Sequence, residues 1–378
     1  MSLSRLVDEH RVVVCVGSGG VGKTTSAAAL ALFGAYRGRR SMVLTIDPAQ
    51  RLAQALGLGT LAAGGELVDS TLLREAGVEG TGSLSAGMLE QKSAWDEFIV
   101  RHAPSAEVAQ VILDNEFYKH LSESFAGSTE YMAIEELCRI VECDDYDLVV
   151  LDTPPTAHAL DFLEAPQRLQ RFLDRSVVGW MVKPSVAIGR TVWKRASRSV
   201  SYVLERLEDA TGLRALREIS EFFVAMDELF DGIAERSARV GELLRGSSTA
   251  FVLIVGPDEQ VLDEADYLSS RMRELGMPLK GVVMNRIQPR PGGCDGVVRA
   301  SELEEILAPL RYGGRELAAA WLENTWRQAC RVAISQELRL ESFEAELPES
   351  VSSVRVPELN HDVHALADLR KIYEWLCR

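Results

Sequence analysis

Runs of consecutive apolar, largely β-branched residues recur along the chain, each closed off by polar or turn-forming residues. They are RVVVCV at 11–16, SMVLTI at 41–46, DLVVL at 147–151, AFVLIV at 250–255 and GVVM at 281–284, with a weaker run at 354–356. A strand with no polar alternation has no face to offer to water, so these runs predict strands covered on both sides. Most are separated by stretches of helical length, which predicts an α/β fold with a mostly parallel sheet and helices on both faces.

Two intervals break this rhythm. Residues 85–140 and 160–245 place apolar side chains at three- and four-residue spacing, as amphipathic helices do. Phe222, Phe223, Met226, Leu229, Phe230 and Ile233 form one such stripe, which predicts packing within a helical layer. The organisation expected is a core of residues 1–84, 141–165 and 246–378, with residues 85–140 and 166–245 as an inserted helical subdomain. Residues 64–87, rich in Gly and Ser, read as a loop-dominated connection, and residues 288–296 (QPRPGGCDG) as a second loop.

Composition narrows the class without changing the fold. Of 378 residues, 47% are hydrophobic and 26% charged, as in an ordinary globular protein. The formal net charge of −15 opposes nucleic-acid binding by bulk attraction, so no nucleic-acid partner is expected. No apolar run approaches the ~20 residues of a membrane span, and the start, MSLSRLVDEHR, lacks the basic and apolar regions of a signal peptide. Six cysteines lie scattered without framework spacing, which favours a reducing compartment and a cytoplasmic location.

The chemistry begins directly after the first strand. Residues 17–24 (GSGGVGKT) fit G-x-x-x-x-G-K-[ST] and run into the Ala-rich stretch 25–32. Glycines let successive backbone N–H groups curl inward around phosphate oxygens, and the helix start adds its positive end. In such a loop Gly19, Gly20, Val21, Gly22 and Thr25 surround the nucleotide. Lys23 supplies charge to the β- and γ-phosphates, and the Thr24 hydroxyl is placed to ligate Mg²⁺. The sheet expected is therefore that of a P-loop NTPase. Two further strands end in carboxylates, Asp47 and Asp152. An acidic pair at strand ends suits Mg²⁺ and an attacking water; either Asp alone could instead be a helix N-cap.

Together, residues 17–25 (GSGGVGKTT), 47–49 (DPA) and 152–158 (DTPPTAH) resemble the phosphate loop and two switches of the ArsA-type ATPases, a family of anion-pump and protein-targeting ATPases. Residues 283–286 (VMNR) resemble its adenine-reading strand end, Pro357 its base-packing proline, and Pro257-Asp258 its Pro-Glu pair. The resemblance implies that Asp47 orients or deprotonates water and that Asp152 holds Mg²⁺ through water. It implies that Asp152, Thr153, Pro154, Pro155, Thr156 and His158 form a switch, and that Asn285 and Pro357 select ATP. It further implies a homodimer whose helical subdomains close into one cargo surface.

Three departures qualify what the resemblance implies. The family's signature lysine, which reaches into the partner subunit, is Ser18 here, so hydrolysis should be slow unless another cation such as Arg51 substitutes. No Cys-x-x-Cys is present to clasp two subunits, and Cys138 and Cys143 are a poor metal pair. No cysteine triad suits arsenite. Finally, residues 171–206 carry eight basic side chains against Asp174 and Glu205, interleaved with Trp180, Trp193 and other apolar residues. That stretch is either a solvated helix face or a surface for a protein partner or an acidic membrane.

Overall fold

The computed structural model describes residues 3–46, 51–59, 61, 65–89, 91–124, 128–154, 164, 213–292, 294, 300–308 and 314–377. The basic stretch 171–206 lies outside the described residues. In the first half the elements are α1 (Leu3–Glu9), β1 (Val12–Gly17), α2 (Lys23–Tyr36), β2 (Arg40–Thr45), α3 (Arg51–Leu56), β3 (Glu66–Leu67), α4 (Ser70–Glu75) and β4 (Ser83–Met88). Then come α5 (Gln91–His102), α6 (Ala106–Asp114), α7 (Glu116–Ser124), α8 (Ser128–Glu142) and β5 (Leu148–Asp152). The rest are α9 (Leu213–Arg245), β6 (Thr249–Val255), α10 (Glu259–Glu274), β7 (Leu279–Ile287), α11 (Ala300–Leu307), α12 (Arg315–Glu346), β8 (Ser352–Pro357) and α13 (Leu366–Leu376).

The eight strands form one sheet in the order β3-β4-β2-β5-β1-β6-β7-β8. Every neighbouring pair is parallel except β3 with β4. The unbroken apolar runs are central strands, and consecutive residues in them serve opposite faces. Val12, Val14 and Val16 of β1, Val149 and Leu151 of β5, and Phe251, Leu253 and Val255 of β6 enter one buried cluster with residues of α5–α10 and α12. Val13 and Cys15, Leu148 and Val150, and Ala250, Val252 and Ile254 enter a second with α1–α4 and α13. The mostly parallel sheet with helices on both faces is thus the fold observed.

Helices α5–α9 pack on one another, and α8 and α9 also touch β5 and β6. Phe222, Met226, Leu229 and Ile233 are all buried there. The Phe222 ring meets Phe117 edge-on at 5.3 Å. The stripe in α9 is core packing.

At the N-terminal edge of the sheet, two arginines tie neighbouring segments together. Arg39 donates to the carbonyls of Val7, His10 and Asp147. Arg40 forks onto the Asp147 carboxylate at 2.8 and 3.2 Å, and this pairing holds the Asp147 carboxyl down at about 2.

Two expectations are corrected. Residues 64–87 are not loop-dominated, since they hold β3, α4 and most of β4. The sequence SLSAGM hides a strand because contact, not propensity, selects its residues: a Cβ on Gly87 would lie 2.8 Å from Met42 Cε and 2.9 Å from Gly65 Cα. The cysteines are also not all separate thiols, because Cys294 in the loop after β7 forms a disulfide with Cys330 of α12, 36 residues away. Among the described residues no helix is long and apolar enough to cross a membrane.

Candidate nucleotide site

The site lies where β1 leaves the sheet. From Gly17 the chain turns through Gly20 (φ 77°) and Gly22 (φ 93°) into α2, which begins at Lys23. A loop that binds an anion must aim its N–H groups inward, so its carbonyls face outward and need donors elsewhere. Those donors are present. Lys23 Nζ donates to the Ser18 carbonyl at 2.7 Å, Arg286 Nη1 to that of Gly20 at 3.0 Å, and Asn285 Nδ2 to that of Val21 at 2.8 Å. Asn285 presses so close to Gly22 that a Cβ there would overlap its amide nitrogen. Thr24 and Thr25 follow in the first turn of α2, both partly exposed.

Asp152 ends β5, opposite Cys15 of β1 and Thr45 of β2. The residue is 1% exposed, and its Oδ2 accepts from Thr45 Oγ1 at 3.0 Å. The Cys15 thiol pKa is pushed up by burial and by Asp152, with Lys23 opposing. One small side chain therefore feels both the carboxylate and the ammonium. Thr153 is pinned to β1 through its N–H and hydroxyl, at 3.3 and 2.8 Å from the Cys15 carbonyl. Pro154 follows it. A carboxylate so deeply placed beside apolar strands is costly without a cation near it. Together with the Thr24 hydroxyl it offers the hard oxygen donors that Mg²⁺ takes, alongside water and phosphate. These residues fit that ion.

Pro357 closes β8 opposite Ile287 of β7, where Glu358 N–H also bonds to the Ile287 carbonyl at 2.8 Å. The register between these strands shifts after Met284. Within that irregularity Arg286 takes a left-handed φ of 59°. Such a bulge re-aims side chains, here Asn285 and Arg286 over the phosphate loop.

Residues 18–25, Asp152, Thr153, Asn285 and Pro357 thus gather at one edge of the sheet. Asp47, Pro155, Thr156 and His158 lie outside the described residues; Ile46, just before Asp47, donates its N–H to the Asp152 carbonyl at 3.3 Å. Arg51 begins α3 and is exposed. Cys138 is buried and Cys143 exposed, and among the described residues no group of three His, Cys, Asp or Glu side chains could hold a metal.

Sequence reasoning missed three participants. Thr45 supports Asp152 from the neighbouring strand, and Arg286 grips the loop beside Asn285. Glu264 of α10 accepts from Ser18 Oγ at 2.6 Å. The position where the family carries its lysine is therefore bound within its own chain. Arg286 follows Asn285 directly and could have been found by asking what a strand-end arginine faces. Glu264 stands 246 residues from Ser18 and carried no such signal.

Comparison with known proteins accords with this geometry. ATPase GET3 of Malassezia globosa is 24% identical over 295 residues, covering 77% of this chain and 78% of that protein. ATPase GET3B of Arabidopsis thaliana is 29% identical over 299 residues, covering 74% and 64%. ATPase get3 of Aspergillus terreus is 25% identical over 302 residues, covering 78% and 79%. The profile of the anion-transporting ATPases (ArsA_ATPase) matches residues 10–305, most of the sequence and all of the phosphate loop, so the chain belongs to that family.

Proposed function

We propose that the chain binds MgATP in the loop of residues 17–25, hydrolyses it, and couples the nucleotide state to a partner held by its helical layer. The observation that carries this reading is that Arg286 and Asn285 take up the Gly20 and Val21 carbonyls while Lys23 Nζ is held at the loop on the Ser18 carbonyl. With those carbonyls taken up, the loop N–H groups and the Lys23 ammonium are the groups that meet phosphate oxygens. In this reading Gly19, Gly20, Val21, Gly22, Lys23, Thr24 and Thr25 receive the phosphates. Asn285 and Pro357 flank the adenine, and Thr24 with Asp152 holds Mg²⁺, which neutralises charge building on the phosphate oxygens. Asp47 orients the attacking water, and residues 152–158 act as the switch. The ATPase core is residues 1–84, 141–165 and 246–378, with the partner surface on residues 85–140 and 166–245. Two copies form a homodimer in the cytoplasm, and the basic stretch 171–206 meets a protein cargo or an acidic membrane surface.

The test is phosphate release beside MgATP binding by calorimetry, for the unaltered chain and Asp47→Asn. The expected result is retained binding with turnover lost in the variant. Unchanged hydrolysis would remove Asp47 from its role. Light-scattering mass with ADP and with a non-hydrolysable ATP analogue tests the dimer, which should form with the analogue.

One observation favours a second reading, a nucleotide-gated binding module with negligible turnover. Ser18 is bonded to Glu264 of its own chain, so no cation at that position reaches a partner's nucleotide. Brisk basal phosphate release would exclude this reading.

A further inference from the structure

Arg286 enters the proposed function only through its hold on the Gly20 carbonyl, yet it makes the least ordinary contacts at the site's edge. It is a non-glycine residue at φ 59°, a conformation that costs an L-residue roughly 1–2 kcal/mol and persists only where the surroundings enforce it. It stands in the β7 irregularity between Met284 and Ile287, next to Asn285. One arm of its guanidinium donates to the Gly20 carbonyl at 3.0 Å, and the other lies 3.4 Å from the Glu358 carboxylate. Gly20 is at the outer turn of the phosphate loop, whereas Glu358 directly follows Pro357. No other described side chain spans these two segments by hydrogen bonds.

We propose that Arg286 is a positioning residue that sets the phosphate loop and the base-side segment as one piece. The inference rests on the reading of residues 17–25 as the nucleotide site and deepens it. A peptide with glycine on one side, such as that between Gly20 and Val21, is held to one orientation less firmly than one between two side-chain-bearing residues. If it turns over, its N–H leaves the anion cradle and its carbonyl enters it. The Gly20 carbonyl is held outward by a permanent cation, and the Val21 carbonyl beside it by Asn285. Because the same guanidinium is anchored at Glu358, a base seated against Pro357 firms the brace on the phosphate end. A planar fork can serve both partners at once, which a lysine ammonium does poorly.

The experiment measures the affinity of the full chain for MgATP and for tripolyphosphate, a probe with no base, in the unaltered protein and in Arg286→Ala, Arg286→Lys and Glu358→Gln. Arg286→Ala should weaken both probes about ten-fold, as expected for one charge-assisted hydrogen bond, with the unfolding midpoint little changed because the side chain is 57% exposed. Arg286→Lys should recover part of the loss, and Glu358→Gln should weaken ATP by a few-fold. Weakened ATP with unchanged tripolyphosphate would make Arg286 a base contact only and overturn the proposal. Unchanged affinity for both would overturn it as well. If the unaltered chain binds neither probe, the reading of the loop itself fails, an outcome distinct from both.

Discussion

Replacing Gly22 by Ala tests how the phosphate loop is built, because Gly20 supplies an internal control. Both residues have left-handed backbones, at φ 93° and 77°. An added Cβ therefore carries a similar conformational cost at each, roughly 1–2 kcal/mol, and similarly restricts the unfolded chain. Their surroundings differ. A Cβ on Gly20 meets nothing within 4 Å, whereas one on Gly22 overlaps the Asn285 amide. Asn285 would have to swing away, stranding the Val21 carbonyl at a further cost of about 1–3 kcal/mol. Gly22→Ala should thus destabilise the protein by about 2–5 kcal/mol and Gly20→Ala by about 1–2 kcal/mol, within a typical total of about 5–15 kcal/mol. Urea unfolding monitored by circular dichroism reads this difference, and MgATP titration should show the larger loss of affinity for Gly22→Ala. In an Asn285→Ala background the two glycine substitutions should become nearly equal. Equal effects of the two in the unaltered background would refute the claim that Asn285 braces the loop.

Two other predictions concern stability. Asp147 titrates at about 2 in the fold because Arg40 holds its ionised form. Its contribution is therefore complete above the ordinary carboxylate value near 4 and lost as pH falls towards about 2. Asp147→Asn should remove about 0.5 kcal/mol at pH 7, small because the pair is about half exposed, and should shallow the loss of urea stability between about pH 4 and 2. Phe222, 3% exposed against Phe117 and Tyr118, should cost about 3–5 kcal/mol as Phe222→Ala; a shift under about 1 kcal/mol would contradict its place in the core.

What could be read from the sequence was whatever is local to it. Residues 17–25 declare a loop because strand, glycines, Lys-Thr and helix are contiguous, and the central strands declare themselves because burial on both faces leaves only apolar residues. The strand Ser83–Met88 could not be read, since its small residues answer to Met42 and Gly65 rather than to any pattern of their own. The partners of Ser18 and Gly20 were equally hidden. Glu264 and Arg286 reach the loop from 246 and 266 residues away, one from a helix and one from a strand, in a sheet whose order in space differs from its order in the chain. The disulfide between Cys294 and Cys330 joins a loop to a helix at a spacing that carries no signal.

The division of each central strand between two cores gives the molecule a parity. Val13 and Val14 are neighbours in sequence, yet a methyl removed from one loosens the cluster shared with α1–α4 and α13, while the same loss at the other falls in the cluster shared with α5–α10 and α12. Even and odd positions along β1, β5 and β6 are in effect two separate dials on either side of a shared wall. All three strands run to the edge that carries the loop and Asp152. The two helical layers can therefore be softened or stiffened one at a time, with the site as a common witness to both.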